Sequence, residues 1–139
     1  MIKKGNIIRC IQNKVNGTYD ERKEMYLLNV LEIKLLSNCN LNCRGCYVYS
    51  NIANTDVYSI DEITTDLDIL KEKFPEIREI RILGGEPLVL DNLMEYLELI
   101  HTRFPKTILT LVTNGIKLHS QNDEFFTYLS KIIQRKAGA

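Results

Sequence analysis

Three of the chain's four cysteines fall within eight residues, in the run Cys39-Asn40-Leu41-Asn42-Cys43-Arg44-Gly45-Cys46. A step of four followed by a step of three puts three thiols on one short loop. In a reducing compartment such a cluster reads as a metal site rather than a disulfide framework. Three thiolates can ligate three irons of a cubane and leave the fourth iron without a protein ligand, open to a chelating substrate. The competing reading is a structural zinc knuckle. Zinc wants a fourth ligand, and only Cys10, His101 and His119 are on offer, none at knuckle spacing.

Two other segments have compositions suited to ligand contact. Gly84-Gly85-Glu86-Pro87 offers a stretch where backbone can approach a ligand closely and take dihedrals closed to other residues. Its plain alternative is a tight turn whose glycines serve only geometry. Thr113-Asn114-Gly115 is either a simple turn, with Gly115 free to take positive φ, or a set of polar groups facing a site. Arg81 alternates with Leu83 in an apolar run, and with Arg78 and Glu79 beside it the expected setting is a solvated face. Cys10 is expected to be an ordinary buried or half-buried thiol, and His101 and His119 to be surface residues.

The elements that must position these segments follow from periodicity. Leu31–Leu36 reads as a strand ending at Ser37-Asn38. Ser59 with Glu62 three residues later is a capping-box signature. Ile63, Leu67, Leu70 and Phe74 then form the stripe of a core-facing helix, which Pro75 stops. Arg78–Leu83 is a second strand. Asp91 is expected to cap a helix with the stripe Leu93, Leu97, Ile100 and Phe104, stopped by Pro105. Ile108–Val112 is a third strand, and a further helix from about Asp123 would show Phe126, Leu129 and Ile133 to the core. The two Phe-Pro stops, thirty residues apart, mark one repeated βα unit. Strands alternating with helices in this way predict an α/β fold with a parallel sheet and right-handed crossovers. All three unusual segments then follow strand ends, the C-terminal mouth where parallel βα folds bind ligands.

The first residues are read as an N-terminal extension over 1–29, preceding a domain portion over 30–139. Ile7–Ile11 is expected as a short strand, Asn16-Gly17 as a turn and Asp20–Leu28 as a helical turn or two. With 139 residues, 45% apolar and 26% charged, the composition is that of one ordinary globular domain. Its 18 basic and 18 acidic residues cancel, so neither a basic nucleic-acid surface nor an acidic tail is expected. No apolar run approaches the length of a membrane span, and the start lacks a signal-peptide pattern. The expected location is the cytoplasm.

C-x-x-x-C-x-x-C after a first strand, then G-G-E-P after a second, resembles the radical S-adenosylmethionine superfamily over about residues 30–120. The resemblance implies that these βα repeats form the N-terminal part of a partial (βα)6 TIM-type barrel. It implies a [4Fe–4S] cluster on Cys39, Cys43 and Cys46, with the amino and carboxylate groups of S-adenosylmethionine on the open iron. An electron from the reduced cluster, supplied by a reductant such as flavodoxin or ferredoxin, then cleaves the sulfonium to methionine and a 5′-deoxyadenosyl radical. By the same resemblance Gly84, Gly85 and Glu86 receive the cofactor's amino group, and Thr113 and Asn114 border the mouth. Related enzymes can also use an inward arginine, here Arg81, to meet substrate. The family commonly has an aromatic residue just before the third cysteine, where this chain has Gly45, whose backbone could still contact adenine. The substrate is expected to be a small molecule or a peptide, with peptide modification preferred.

The chain carries three βα units of the barrel. A second chain that completes it, or self-association through the third strand's edge, is therefore expected. The alternative is a shortened, inactive iron–sulfur or zinc-binding module that acts through a partner.

Overall fold

Among the described residues a four-stranded sheet forms, three of its strands from the apolar runs, with three helices packed on it. The computed structural model describes residues 17–20, 25–53 and 55–134, so Cys10 and the expected strand Ile7–Ile11 lie outside the described residues. The elements are β1 (Gly17–Asp20), β2 (Met25–Lys34), α1 (Ile60–Lys73), β3 (Ile77–Leu83), α2 (Leu93–Arg103), β4 (Ile108–Leu111) and α3 (Asp123–Gln134). Their order in the sheet is β1-β2-β3-β4. β1 runs antiparallel to β2, while β2, β3 and β4 are parallel. This is the expected α/β arrangement, a parallel sheet of βα units consistent with part of a TIM-type barrel.

Two segments are corrected. Residues 25–28, expected in a helical turn, are the first part of β2, which starts well before Leu31, and Gly17 and Asp20, expected in a turn and a helical turn, are the two ends of β1. Gly17 pairs with Leu28 and Asp20 with Met25 on one side, and Leu28 pairs with Ile77 on the other. A short apolar run such as Met25-Tyr26-Leu27-Leu28 carries no decisive period. Flanking strands that take up its backbone groups decide the matter.

Register sorts the side chains into two faces. Leu31 lies opposite Ile80 and Ile33 opposite Ile82, and these lie opposite Leu109 and Leu111 in turn. Leu31, Ile33, Ile80 and Ile82 are buried under the helices. Ile63, Leu67 and Leu70 of α1 and Leu93, Leu97 and Ile100 of α2 meet them, with Phe104 also buried, as the stripes require. The alternate residues Glu32, Glu79, Arg81 and Thr110 share the opposite face.

The helix ends follow local chemistry. Ser59 Oγ accepts from Glu62 N at 3.3 Å and Glu62 Oε2 accepts from Ser59 N at 2.9 Å, closing the capping box. The N-cap of α2 is Asn92 rather than Asp91, with no side-chain cap bond; Asn92 Nδ2 instead donates to Glu95 at 3.3 Å. Phe74 and Phe104 donate their N–H groups back to Leu70 and Ile100 before the prolines end the helices.

α3 is rotated from expectation. Phe125 is 3% exposed and Phe126 is 45% exposed. Asn122 Oδ1 accepts from Phe125 N at 2.9 Å, fixing where the helix begins, and Tyr128 and Leu129 pack on the core. With two adjacent phenylalanines, period alone cannot say which one faces inward. No helix among the described residues is long and apolar enough to cross a membrane.

The rotation has a measurable signature. Phe125→Ala should cost about 3–5 kcal/mol in urea unfolding, the range for truncating a buried phenylalanine. Phe126→Ala should stay under about 1 kcal/mol, as for an exposed position. Equal losses would put the wrong face of α3 against the sheet.

Candidate functional site

The cysteine loop grows from the C-terminal end of β2 and is closed at its base. After Lys34 the chain buries Leu35 and Leu36 and then turns at Ser37. Tyr58 N donates to Leu35 O at 3.0 Å, Ser37 N donates to Asp56 O at 2.8 Å, and Leu36 bridges Val57. The long insertion between β2 and α1 is thus pinned where it leaves the sheet. Its backbone groups at the base are paired, as a buried chain requires.

The Gly-Gly-Glu-Pro segment continues alongside that base. Gly85 N donates to Leu36 O and Glu86 N to Asn38 O, both at 2.9 Å. A Cβ built on Gly85 would lie 2.0 Å from Asn38 O. The glycine therefore permits close approach, and the backbone it approaches on that side is the protein's own.

Glu86 then joins the third segment to the other two. It is 1% exposed, and its carboxylate accepts from Leu88 N at 2.9 Å, Thr113 Oγ1 at 2.6 Å and Asn114 N at 2.8 Å. Asn114 Nδ2 donates to Asn40 Oδ1 at 2.8 Å, inside the cysteine run. Gly115 takes φ +78°, which lets the chain turn back so that its N–H meets Thr113 Oγ1 at 3.0 Å. The three segments singled out in the sequence are therefore hydrogen-bonded into one mouth. Asn38 and Asn40, which tie it together, carried no signal stronger than their place beside the cysteines.

All three thiols are free, with Cys43 exposed and Cys39 and Cys46 half-buried. Leu41 N–H points at Cys39 Sγ, 3.4 Å away. The Ser50 backbone N–H, followed by those of Val48 and Tyr49, draws the Cys46 thiol below its ordinary pKa against an opposing effect of burial. Among the described residues no three His, Cys, Asp or Glu side chains are gathered around a point that one metal ion could occupy. A cubane asks for no such point, since each thiolate takes a different iron. The donor set of three sulfurs, two of them facing backbone N–H groups, fits such a cluster. Gly45 is exposed at φ +72°, with open space where a Cβ would stand. An aromatic residue would be strained there by the backbone rather than crowded by neighbours.

Beneath this mouth runs a chain of polar contacts on the open sheet face. Arg81 Nε meets Glu79 Oε1 at 3.0 Å and Arg81 Nη1 meets Glu32 Oε1 at 3.6 Å. Thr110 Oγ1 donates to Glu79 at 2.9 Å, and Tyr47 OH reaches down from the cysteine loop to Glu32 Oε2 at 3.2 Å. The hydrogen bond to Glu79, before its charge and that of Glu32, raises the Arg81 pKa. Arg81 is partly exposed, as expected of a solvated face, but it is held between two carboxylates. His119 is exposed and hydrogen-bonded to Ile116 O at 2.7 Å. His101 is half-buried in the last turn of α2, at the far end of the sheet from the loops. A cavity of about 590 Å3, lined by Leu28, Ile77, Phe104 and Thr107, also lies at that far end, away from the three segments.

The buried carboxylate is testable by itself. Glu86→Gln keeps the size but turns one acceptor into a donor facing an N–H or hydroxyl group. Leaving that group unsatisfied should cost about 1–3 kcal/mol in denaturant unfolding. The amide resonances of Leu88 and Asn114 should move with it. A glutamine variant as stable as the parent, with unmoved amides, would show that Glu86 does not join these loops.

Residues 33–135 match the Radical SAM superfamily. GTP 3',8-cyclase from Desulforamulus reducens is 34% identical over 92 residues, covering 64% of this chain and 28% of that protein. GTP 3',8-cyclase from Alkaliphilus oremlandii is 33% identical over 102 residues, covering 69% and 31%. 7,8-dihydro-6-hydroxymethylpterin dimethyltransferase from Methanocaldococcus jannaschii is 33% identical over 108 residues, covering 72% and 19%. The chain therefore spans less than a third of the length of these relatives. A match over residues 33–135, which includes the cysteine loop, Glu86 and Asn114, places this chain in the Radical SAM superfamily, whose members are enzymes that bind a [4Fe–4S] cluster and S-adenosylmethionine.

Proposed function

We propose that this chain is the cluster-bearing part of a radical S-adenosylmethionine enzyme, with the cluster on Cys39, Cys43 and Cys46 and the cofactor's amino group beside Gly84, Gly85 and Glu86. The observation that carries the proposal is the joining of three strand-end loops through the buried Glu86 carboxylate, directly beside the thiols. When bound, the reduced cluster supplies the electron that cleaves S-adenosylmethionine to methionine and the 5′-deoxyadenosyl radical, which takes a hydrogen atom from substrate. The electron comes from a low-potential one-electron donor of the flavodoxin or ferredoxin kind.

The protein's own residues hold and orient. The backbone donors after Cys46 favour its sulfur in the anionic form, which is the form that ligates iron, and Leu41 N–H faces Cys39 Sγ. Glu86 holds Thr113 and Asn114 at the rim by their hydroxyl and backbone N–H. Gly45 leaves its neighbourhood open to an adenine ring on the loop's outer side.

A peptide, or another substrate without a triphosphate, is compatible with the described sheet face. Two relatives are named for action on GTP, a polyanion. Polyphosphate recognition uses cationic side chains free to pair with it. Here Arg81 is held between Glu79 and Glu32, and Lys34 is the other cation on the described face of β2 and β3. A face so balanced in charge suits a substrate without a triphosphate.

Reconstituted with iron and sulfide without oxygen, the protein should take up one [4Fe–4S] cluster. Alanine at Cys39, Cys43 or Cys46 should abolish its visible absorption, and Cys10→Ala should not. Saturating S-adenosylmethionine should alter the electron paramagnetic resonance spectrum of the reduced cluster. Stoichiometric zinc uptake with no iron under these conditions would sink the proposal.

A further inference from the structure

The cavity of about 590 Å3 at the far end of the sheet takes no part in the thiol site. It lies between the two turns that follow the helices, where α1 leads into β3 and α2 into β4. Its walls are fastened to one another. Leu28 N donates to Glu76 O at 3.3 Å, Thr107 Oγ1 to Ile77 O at 2.7 Å and Thr107 N to Phe104 O at 3.1 Å. Small-molecule sites have volumes of roughly 300–1,000 Å3, so the space is large enough to hold one. Leu27, Leu28, Pro75, Ile77, Phe104 and Pro105 give it an apolar lining.

Four cations border the same space, Lys71, Arg78, Arg103 and Lys106, against one acid, Glu76. The whole chain has 18 basic and 18 acidic residues, so the excess is local. Carbonyls at a helix C-terminus attract cations, which accounts for Lys71 and Arg103 in the last turns of α1 and α2. Arg103 is also paired with Asp68 at 2.7 Å. Arg78 and Lys106 lie outside both helices, and with Lys71 they form no ion pair among the described residues. Arg78 alternates onto the face of β3 that carries the buried Ile80 and Ile82, yet it is exposed. Packing alone does not call for an unpaired cation at a core-facing position beside open apolar space.

The outlying segments of the chain do not complement this rim. Residues 1–16 carry Lys3, Lys4, Arg9 and Lys14 with no acid, and 135–139 carry Arg135 and Lys136 with none. The run Glu21-Arg22-Lys23-Glu24 is balanced. Charge complementarity therefore favours an occupant that is not part of this polypeptide.

We infer that the cavity binds an amphiphilic organic anion, with a carboxylate or phosphate head met by Arg78 and Lys106 and an apolar body among Leu27, Ile77 and Phe104. Cations of one sign at a cleft with apolar walls focus their field on what enters, and ionised head groups form the stronger hydrogen bonds with them. Charge then selects the ligand and the lining holds its body. The site lies at the opposite end of the sheet from the thiols, so it goes beyond the cluster assignment and does not depend on it.

The test follows amide resonances of the isotope-labelled full chain during titration. Decanoate or decyl phosphate, kept below micelle formation, should saturate and move the resonances of Ile77, Arg78 and Thr107, leaving Gly85 and Asn114 in place. Saturation by only one of the two identifies the head group and supports the assignment. Inorganic phosphate should bind more weakly than the amphiphile, and decyltrimethylammonium should not saturate. Arg78→Glu combined with Lys106→Glu should weaken binding at least about tenfold, since two attractions become repulsions. Arg78→Gln combined with Lys106→Gln should fall between that pair and the parent. Both positions are exposed, and urea unfolding checks that each variant stays folded. If the charge-reversed protein unfolds, the glutamine pair decides by itself. The inference is overturned if neither anion saturates, if the decyl cation binds as tightly, or if inorganic phosphate matches the amphiphiles. Shifts confined to the thiol mouth, or an unchanged affinity in the folded variants, overturn it equally.

Discussion

A carboxylate with 1% exposure can exist only where donors surround it, and the site depends on this requirement at Glu86. Its oxygens face Leu88 N, Thr113 Oγ1 and Asn114 N, while its own N–H goes to Asn38 O. Those partners sit on the loops that follow β2, β3 and β4. Displacing any one loop would leave a buried polar group unpaired, so the three hold one another in place. The thiols stand on a loop whose residues are mostly exposed, so burial of its own side chains does little to hold it.

The sheet delivers the loops to each other. Parallel pairing of β2, β3 and β4 brings three C-terminal strand ends to one edge, and the register places Leu83 beside Lys34 and Leu111 beside Ile82. Burial of Leu31, Ile33, Ile80 and Ile82 locks that register, because a slip of one residue would carry the whole apolar set to the wrong face. The same alternation places Glu32, Glu79, Arg81 and Thr110 together on the open side. These side chains pair with one another, and Tyr47 links them to the cysteine loop. The polar face and the thiol loop are thus mechanically continuous.

Glycine serves two different purposes here. At Gly85 the constraint is distance, since any side chain would enter the Asn38 carbonyl. At Gly45 it is the backbone dihedral, since space for a side chain is open but φ is positive. A glycine-rich motif beside a ligand site can therefore be required by the protein's own packing as well as by its ligand.

Much of this was legible along the chain. The cysteine steps, the Gly-Gly-Glu-Pro segment and the Phe-Pro stops are local patterns, and local chemistry suffices to specify a metal loop, a close-packed turn and a helix end. The stripes Ile63, Leu67, Leu70 and Leu93, Leu97, Ile100 were readable because helical period repeats over several turns. The strand over residues 25–28, the inward choice of Phe125 over Phe126 and the N-cap of α2 at Asn92 were not, because each turns on a neighbour distant in sequence or on a period too short to resolve. The sequence by itself determined the chemistry on offer: three thiols, a close-approach turn and a βα order that sends all unusual segments to one end of the sheet. Only the tertiary structure decided that Glu86 would spend its carboxylate on the third loop and that Asn114 would reach Asn40 across 74 residues. Those contacts depend on how three strands register side by side, and no periodicity within a single segment encodes the position of its neighbour.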